Sequence, residues 1–172
     1  MRTLVTGGVR SGKSAHAESL LAAAPAVAYI APGPRYDDAD WADRIAAHQR
    51  RRPAHWTTVE DTDLPRALAG VSGDAVLVDC LGTWLTARFD DLDLWERRDW
   101  QQPFGEMLEA ALAAVRGHGG DLVVVTNEVG LGVVPEHRSG RVFRDALGWT
   151  NQRFAEIFDD VTLVISGRTL AL

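Results

Sequence analysis

The chain has 172 residues and a formal net charge of −6 at pH 7, room for one ordinary domain and too acidic for general attraction to nucleic acid or an anionic membrane. Hydrophobic residues make up 46% and charged residues 24%, which excludes wholesale disorder, and no apolar run approaches the roughly 20 residues of a membrane helix. The single cysteine, Cys80, excludes an internal disulfide or a cysteine zinc site, and Met1–Gly7 lacks the apolar core of a signal peptide. The expectation is a cytoplasmic protein whose residues 1–172 form one domain, with no nucleic-acid partner and no stable membrane insertion.

In chain order, Thr3-Leu4-Val5-Thr6 is a short β-rich run ending in glycines, followed by helical composition from Lys13 to Ala23. Ala26–Ile30 reads as a second buried strand, broken by Ala31-Pro32-Gly33-Pro34, and Asp38–Arg52 reads as a helix with acids at its start and bases at its end. Trp56–Val59 reads as a strand, Leu64–Ala69 as a short helix, and Ala75-Val76-Leu77-Val78-Asp79 as a buried parallel strand ending in an acid. Arg88–Gln102 is polar, aromatic and acidic, as expected of a surface excursion. An amphipathic helix over Phe104–Arg116, strands at Leu122–Thr126 and Val161–Ile165, and a helix from Ser139 to Phe158 complete the alternation. The pattern predicts an α/β fold with an open, mainly parallel sheet flanked by helices.

Gly7-Gly8-Val9-Arg10-Ser11-Gly12-Lys13-Ser14 matches G-x-x-x-x-G-K-[ST] between a strand and a helix. Glycines let backbone N–H groups turn inward around phosphate oxygens. The helix directs its positive end there, Lys13 reaches the β/γ-phosphates, and Ser14 can ligate Mg²⁺. Of the 18 basic residues, Lys13 is the one lysine. A compositional bias that favours arginine has spared lysine where a compact ammonium serves better than a planar fork. Asp79 has two open readings: the acid that holds the Mg²⁺ hydration shell with Ser14, or the cap of the next helix.

Asp79-Cys80-Leu81-Gly82 formally matches the D-x-x-G of a GTPase switch, but with Lys13 already placed no N-K-x-D is possible. A small-molecule kinase or nucleotidyltransferase fits the chain better. At helical spacing, Arg44, His48 and Arg51 share a face. Either His48 is a nucleophile toward phosphorus, with the arginines neutralising charge, or the face is solvated and complements the helix dipole. Thr126-Asn127-Glu128-Val129-Gly130-Leu131-Gly132-Val133-Val134-Pro135 leaves a buried strand at the edge where α/β folds place ligands, with Arg141 and Arg144 on the following helix near phosphate reach. A capping loop with internal ion pairs is the alternative for that stretch.

These segments together resemble the bifunctional adenosylcobinamide kinase / adenosylcobinamide-phosphate guanylyltransferase family of cobalamin biosynthesis. The resemblance rests on L-V-T-G-G-V-R-S-G-K-S, R-I-x-x-H-x-x-R-R-P-A-H-W-x-T-x-E, V-L-V-D-C-L, and T-N-E-V-G-L-G-V-V-P with F-R-D-x-x-G-x-x-N-Q, in order across nearly the whole chain. It implies phosphorylation of adenosylcobinamide by ATP or GTP, then transfer of GMP from GTP to adenosylcobinamide phosphate, giving adenosylcobinamide-GDP and pyrophosphate. It implies a GMP–histidine intermediate on His48; His16 and His55 read as structural, or as supporting the site without touching the nucleotide. Nucleotide contacts would fall on Gly7 to Ser14, Pro32, Gly33, Pro34, Gln49, Arg50, Arg51, Arg52, Glu60 and Leu81. The Glu60 carboxylate suits guanine, whose N1–H and N2–H₂ both donate. The resemblance also implies Mg²⁺ at Ser14 and Asp79 and a homotrimer with sites at subunit boundaries, for which the exposed-looking Trp84, Trp95 and Trp100 segment offers a surface. Ala31-Pro32-Gly33 lacks the hydroxyls many relatives carry there, and Ala87-Arg88 and Ser166-Gly167-Arg168-Thr169 also depart from the family pattern. A kinase that has lost guanylyl transfer, and a nucleotide-switched binding protein without catalysis, are the alternatives.

Overall fold

The computed structural model describes residues 1–34, 53–71 and 75–172. Seven strands form one sheet: β1 (Arg2–Gly7), β2 (Val27–Ile30), β3 (Thr57–Val59), β4 (Ala75–Asp79), β5 (Leu122–Val125), β6 (Asp160–Ile165) and β7 (Arg168–Ala171). Their spatial order is β3-β2-β4-β5-β1-β6-β7, and every pair is parallel except β6 with β7. Five helices lie among the described residues: α1 (Lys13–Leu20), α2 (Leu64–Gly70), α3 (Leu81–Asp91), α4 (Gln101–Gly117) and α5 (Arg138–Ala155). The expected α/β class and the mainly parallel sheet are both present. The helix expected over Asp38–Arg52 lies outside the described residues.

The central strands β1, β2, β4 and β5 are buried on both faces, which is why they read as unbroken apolar runs rather than alternating ones. Leu4, Ile30, Val76, Val78, Leu122 and Val124 meet the helices α2 to α5 on one face. Their neighbours Val5, Tyr29, Leu77, Val123 and Val125 meet Ala17 and Leu21, at α1, on the other. Period-two alternation thus sorts one strand's side chains into two cores, each buried Val or Leu contributing about 1.5–3 kcal/mol. The helices follow the same logic. Phe104, Leu108, Ala111, Leu112 and Val115 make the buried stripe of α4, while Asp63 caps α2 by accepting from Arg66 N–H at 3.0 Å.

Two expectations about Arg88–Gln102 are corrected. Arg88 and its neighbours end α3, whose Leu81, Leu85 and Phe89 repeat every four residues along a buried face. Trp84 and Trp100 are core residues and Trp95 is partly buried against the same cluster, so this segment is not an exposed aromatic surface. Phe89 packs 4.8 Å from Trp95, 5.6 Å from Trp100 and 5.1 Å from Phe104 between ring centroids. The acids and arginines that made the stretch look solvated face outward, as in the bidentate pair of Arg97 with Asp99. The aromatic rings between them turn inward and tie α3 to α4.

Candidate active site

Parallel pairing places the carboxyl ends of β1 to β5 along one edge, and every described residue singled out for the site leaves from that edge. β1 ends at Gly7, where a Cβ would stand 2.5 Å from the carbonyl oxygen of Val164 and 2.7 Å from Ser11 Oγ. Only glycine fits there. Gly12, at φ 96°, supplies the left-handed turn that starts α1, and Arg10 also has positive φ, at 55°. Gly167 N–H donates to the Ser11 carbonyl at 2.8 Å, so the β6–β7 turn braces the loop from outside. A Gly7→Ala chain is expected to lose about 1–3 kcal/mol. Its melting temperature should fall by roughly 2–4 °C per kcal/mol lost, with weakened nucleotide binding in titration; an unchanged pair of values would refute the close-approach argument.

The loop is built to take an anion. Gly12 caps α1 without any side-chain hydrogen bond, leaving the first N–H groups of that helix turned toward the loop. Lys13 is 9% exposed and its Nζ donates to the Gly8 carbonyl at 3.1 Å, holding the ammonium across the loop's mouth. Thr6 Oγ1 and Ser11 Oγ are buried without a hydrogen-bond partner among the described residues. A buried hydroxyl with no partner costs about 1–3 kcal/mol, which phosphate oxygens would offset. Ser14, half-buried, starts the first turn of α1, while Gly8, Val9 and Arg10 lie exposed around the loop.

Asp79 ends β4, and Tyr29 Oη, from β2, donates to its Oδ2 at 3.0 Å. Strand β5 lies between β4 and β1. Asp79 therefore sits two strand spacings, roughly 9.5 Å, from the strand that carries the phosphate loop. That separation suits an acid acting through an ion's water shell better than one touching Ser14. Among the described residues no group of three or more His, Cys, Asp or Glu could hold a metal ion. Mg²⁺, which keeps several waters and binds through one or two protein oxygens plus phosphates, fits such a sparse set.

Beside Asp79, Cys80 caps α3: its N–H donates to Thr83 Oγ1 at 3.4 Å, and Thr83 Oγ1 donates back to the Cys80 carbonyl at 2.9 Å. The Cys80 thiol donates to Asn127 Oδ1 at 3.4 Å, and burial, then the Asp79 charge, push that thiol well above its usual pKa. A neutral, hydrogen-bonded thiol is a structural donor here, not a nucleophile. Gly33 lies against this turn, with a built Cβ 3.0 Å from Thr83 Cβ, and Ala31 N–H donates to the Val59 carbonyl at 2.8 Å. Pro32, Gly33, Pro34 and Leu81 are thereby gathered at one edge, with Glu60 directly after β3. The Leu81 side chain is fully buried, so any ligand contact it makes runs through its main chain.

The strand β5 exits beside the phosphate loop. Glu128 N–H donates to the Gly7 carbonyl at 3.1 Å, and Asn151 Nδ2 donates to the Asn127 carbonyl at 3.0 Å. Arg144 and Arg141 do not reach toward phosphate. Arg144 donates to the carbonyls of Gly130 at 2.8 Å and Gly132 at 3.0 Å, and Arg141 to that of Pro135 at 3.1 Å. Three contributions here escaped sequence reasoning: Tyr29, the brace from Gly167, and the arginine staples. Tyr29 and Gly167 act on residues far away in the chain, whereas the arginine staples close back over their own loop and helix, where charge alone does not name the acceptor. His48, Gln49, Arg50, Arg51 and Arg52 lie outside the described residues.

Comparison with known proteins covers almost the whole chain. The family model described as cobinamide kinase / cobinamide phosphate guanyltransferase matches residues 3–172. The bifunctional adenosylcobalamin biosynthesis protein CobU of Salmonella typhimurium is 42% identical over 178 residues, 97% of each chain. The corresponding protein CobP of Pseudomonas aeruginosa is 41% identical, covering 100% of this chain and 97% of that one. Among solved structures, a protein of Pyrococcus horikoshii OT3 is similar with a TM-score of 0.50 at 9% identity, over 99% of this chain and 84% of that chain. That last likeness speaks to fold alone.

Proposed function

This chain belongs to the cobinamide kinase / cobinamide phosphate guanyltransferase family, and from that premise we propose how its residues carry out the two reactions. It is a bifunctional enzyme of cobalamin biosynthesis, a kinase and a guanylyltransferase. In the first step ATP or GTP binds with its phosphates in the loop from Gly7 to Ser14. Lys13 exchanges the Gly8 carbonyl for β/γ-phosphate oxygens, and Thr6 and Ser11 donate their unpartnered hydroxyls. The hydroxyl of adenosylcobinamide attacks the γ-phosphorus and the nucleoside diphosphate leaves, giving adenosylcobinamide phosphate. Ser14 and Asp79 would hold Mg²⁺, which would supply charge neutralisation on the phosphates, and Tyr29 fixes the Asp79 carboxylate.

In the second step the neutral imidazole of His48 attacks the α-phosphorus of GTP in line and pyrophosphate leaves. An oxygen of adenosylcobinamide phosphate then displaces the histidine and takes the GMP. Gln49, Arg50, Arg51 and Arg52 follow His48 directly and serve the nucleotide's charge, Pro32, Gly33, Pro34 and the Leu81 main chain line the same edge, and Glu60 accepts from guanine N1–H and N2–H₂. The working unit is residues 1–172 as one domain in a cytoplasmic homotrimer. The reading includes no nucleic-acid partner and no stable membrane insertion. No described helix is long and apolar enough to cross a membrane.

The observation that carries this reading is the anion cradle itself. A lone lysine, an uncapped helix and two unpartnered buried hydroxyls converge in a chain whose family match runs from residue 3 to 172. The test is intact-protein mass after incubation with GTP and Mg²⁺ without corrinoid. Wild type is expected to gain one GMP, labile to acid, and His48→Ala to gain none. Wild type that binds GTP and forms no adduct overturns the guanylyl-transfer assignment and leaves a kinase only.

A further inference from the structure

The segment after β5 combines features that the nucleotide does not require. Leu131, Val133 and Val134 stand in water at 88%, 95% and 64% exposure, although they are among the most apolar residues of the chain. They are held there. Val129 packs against the main core, Arg144 bonds the carbonyls of Gly130 and Gly132, and Arg141 bonds that of Pro135. Two guanidiniums are thus committed to fixing a loop whose side chains touch little of their own protein.

The same loop begins at the phosphate cradle. Glu128 N–H is bonded to the Gly7 carbonyl, and Leu131, three residues on, lies within roughly 11 Å of it along the chain. The Glu128 carboxylate is oriented as well: Oε1 accepts from Gly130 N–H at 2.6 Å, and Oε2 has no hydrogen-bond partner among the described residues. The Glu128 main chain thus lies against the phosphate loop, and its carboxylate is held by the loop that leaves it. Asp79, at the end of β4, lies one strand further away and takes the Tyr29 hydroxyl, and Glu60, after β3, lies further still.

We propose that Glu128 to Pro135 forms the acceptor's side of the kinase site, with Glu128 as general base and Leu131, Val133 and Val134 as the apolar rim that receives the corrinoid. The proposal rests on the kinase reading above and deepens it. The acceptor is a large, mostly apolar macrocycle with a hydroxyl on a short tether, so it needs an apolar support and a proton acceptor a short distance apart. The hydroxyl proton passes to the Glu128 carboxylate, the freed oxygen pair forms the bond to the γ-phosphorus, and the bond to the β-bridging oxygen breaks with its electrons leaving on the nucleoside diphosphate.

The test uses the full chain and three readouts: phosphorylation of adenosylcobinamide, the GMP adduct formed from GTP alone, and the mass of the assembly. Wild type that phosphorylates adenosylcobinamide secures the underlying reading, so the variants then report on the acceptor side only. Glu128→Gln keeps an oxygen to accept from Gly130 N–H and leaves the main-chain bond to Gly7 intact. Its kinase kcat is expected to fall about 10²–10⁴-fold with the GMP adduct unchanged. The double variant Leu131→Ser/Val133→Ser is expected to raise KM for adenosylcobinamide on the order of tenfold or more, with KM for the nucleotide and the assembly mass unchanged. An unchanged kinase kcat in Glu128→Gln, or loss of kinase and adduct together, overturns the base. An unchanged corrinoid KM overturns the rim, and a smaller assembly overturns it by making the patch a contact between copies of this chain.

Discussion

Lys13→Ala is expected to lower both reactions about 10²–10³-fold, the loss seen when one preorganised donor to a developing oxyanion is removed. Both reactions use the same phosphate loop, so one substitution should strike kinase turnover and the rate of GMP adduct formation alike. The fold should survive it. Among the described residues Lys13 makes one hydrogen bond, to the Gly8 carbonyl, worth about 0.5–1.5 kcal/mol net. Lys13→Arg is expected to restore little, although every other basic residue of the chain is arginine. A planar fork with five donors does not fit a place that is 9% exposed and receives the ammonium end-on. Steady-state kinetics with each donor, beside a melting curve, separate this outcome from unfolding. A Lys13→Ala enzyme within tenfold of wild type in both reactions would remove the loop from the chemistry.

Trp84→Ala is the second large effect, expected on stability at about 3–5 kcal/mol. Trp84 is 1% exposed, packs 6.0 Å from Phe104 between centroids, and stands one turn into the helix that starts beside Asp79. For a chain of this size the melting temperature should drop by roughly 6–20 °C. The effect should reach catalysis too, because the same turn holds Cys80 and Thr83 against Gly33 and Asn127. Trp84→Phe is expected to recover more than half of the loss. It keeps a ring against Phe104 and removes an indole N–H that is buried without a partner among the described residues. A destabilisation below 1 kcal/mol for Trp84→Ala, measured by chemical denaturation, would contradict the placement of this side chain in the core.

The central architecture was legible in the residues because buried parallel strands leave an unmistakable signature. Ala75–Val78 and Leu122–Val125 have no polar residue to place them on a surface. The phosphate loop was equally plain, since its geometry demands glycine at Gly7 and Gly12 and a lysine at one position. The extent of helix α3 escaped because Gly82 and Thr83 in its first turn are poor helix formers, and its four-residue repeat of Leu81, Leu85 and Phe89 is followed at once by the acidic Asp90-Asp91. The tryptophans were misplaced for a related reason: charge on one side of an aromatic segment says nothing of which way the rings turn. Strand β7 has no apolar alternation, since all four of its residues are exposed, and it exists through its pairing with β6. At the site, residue types could be read but partnerships could not. The arginines near Gly130 and Gly132 carry charges that suggest phosphate, whereas the carbonyls of their own loop satisfy them.

The position of β1 in the sheet also sets the order in which a nascent chain can acquire its chemistry. The phosphate loop, Gly7 to Ser14, is synthesised long before the strands it depends on: β1 pairs with β5 and β6, beginning at Leu122 and Asp160. At about 5–20 residues per second, roughly five to thirty seconds of synthesis separate the making of the loop from the arrival of its two neighbours. Until then Gly7 lacks the Val164 carbonyl against which it is fitted, and Ser11 lacks the brace from Gly167. A truncated or stalled chain therefore has the phosphate-binding residues without the cradle. Such fragments are expected neither to hold nucleotide nor to waste it, and nucleotide binding becomes a late mark of a finished fold.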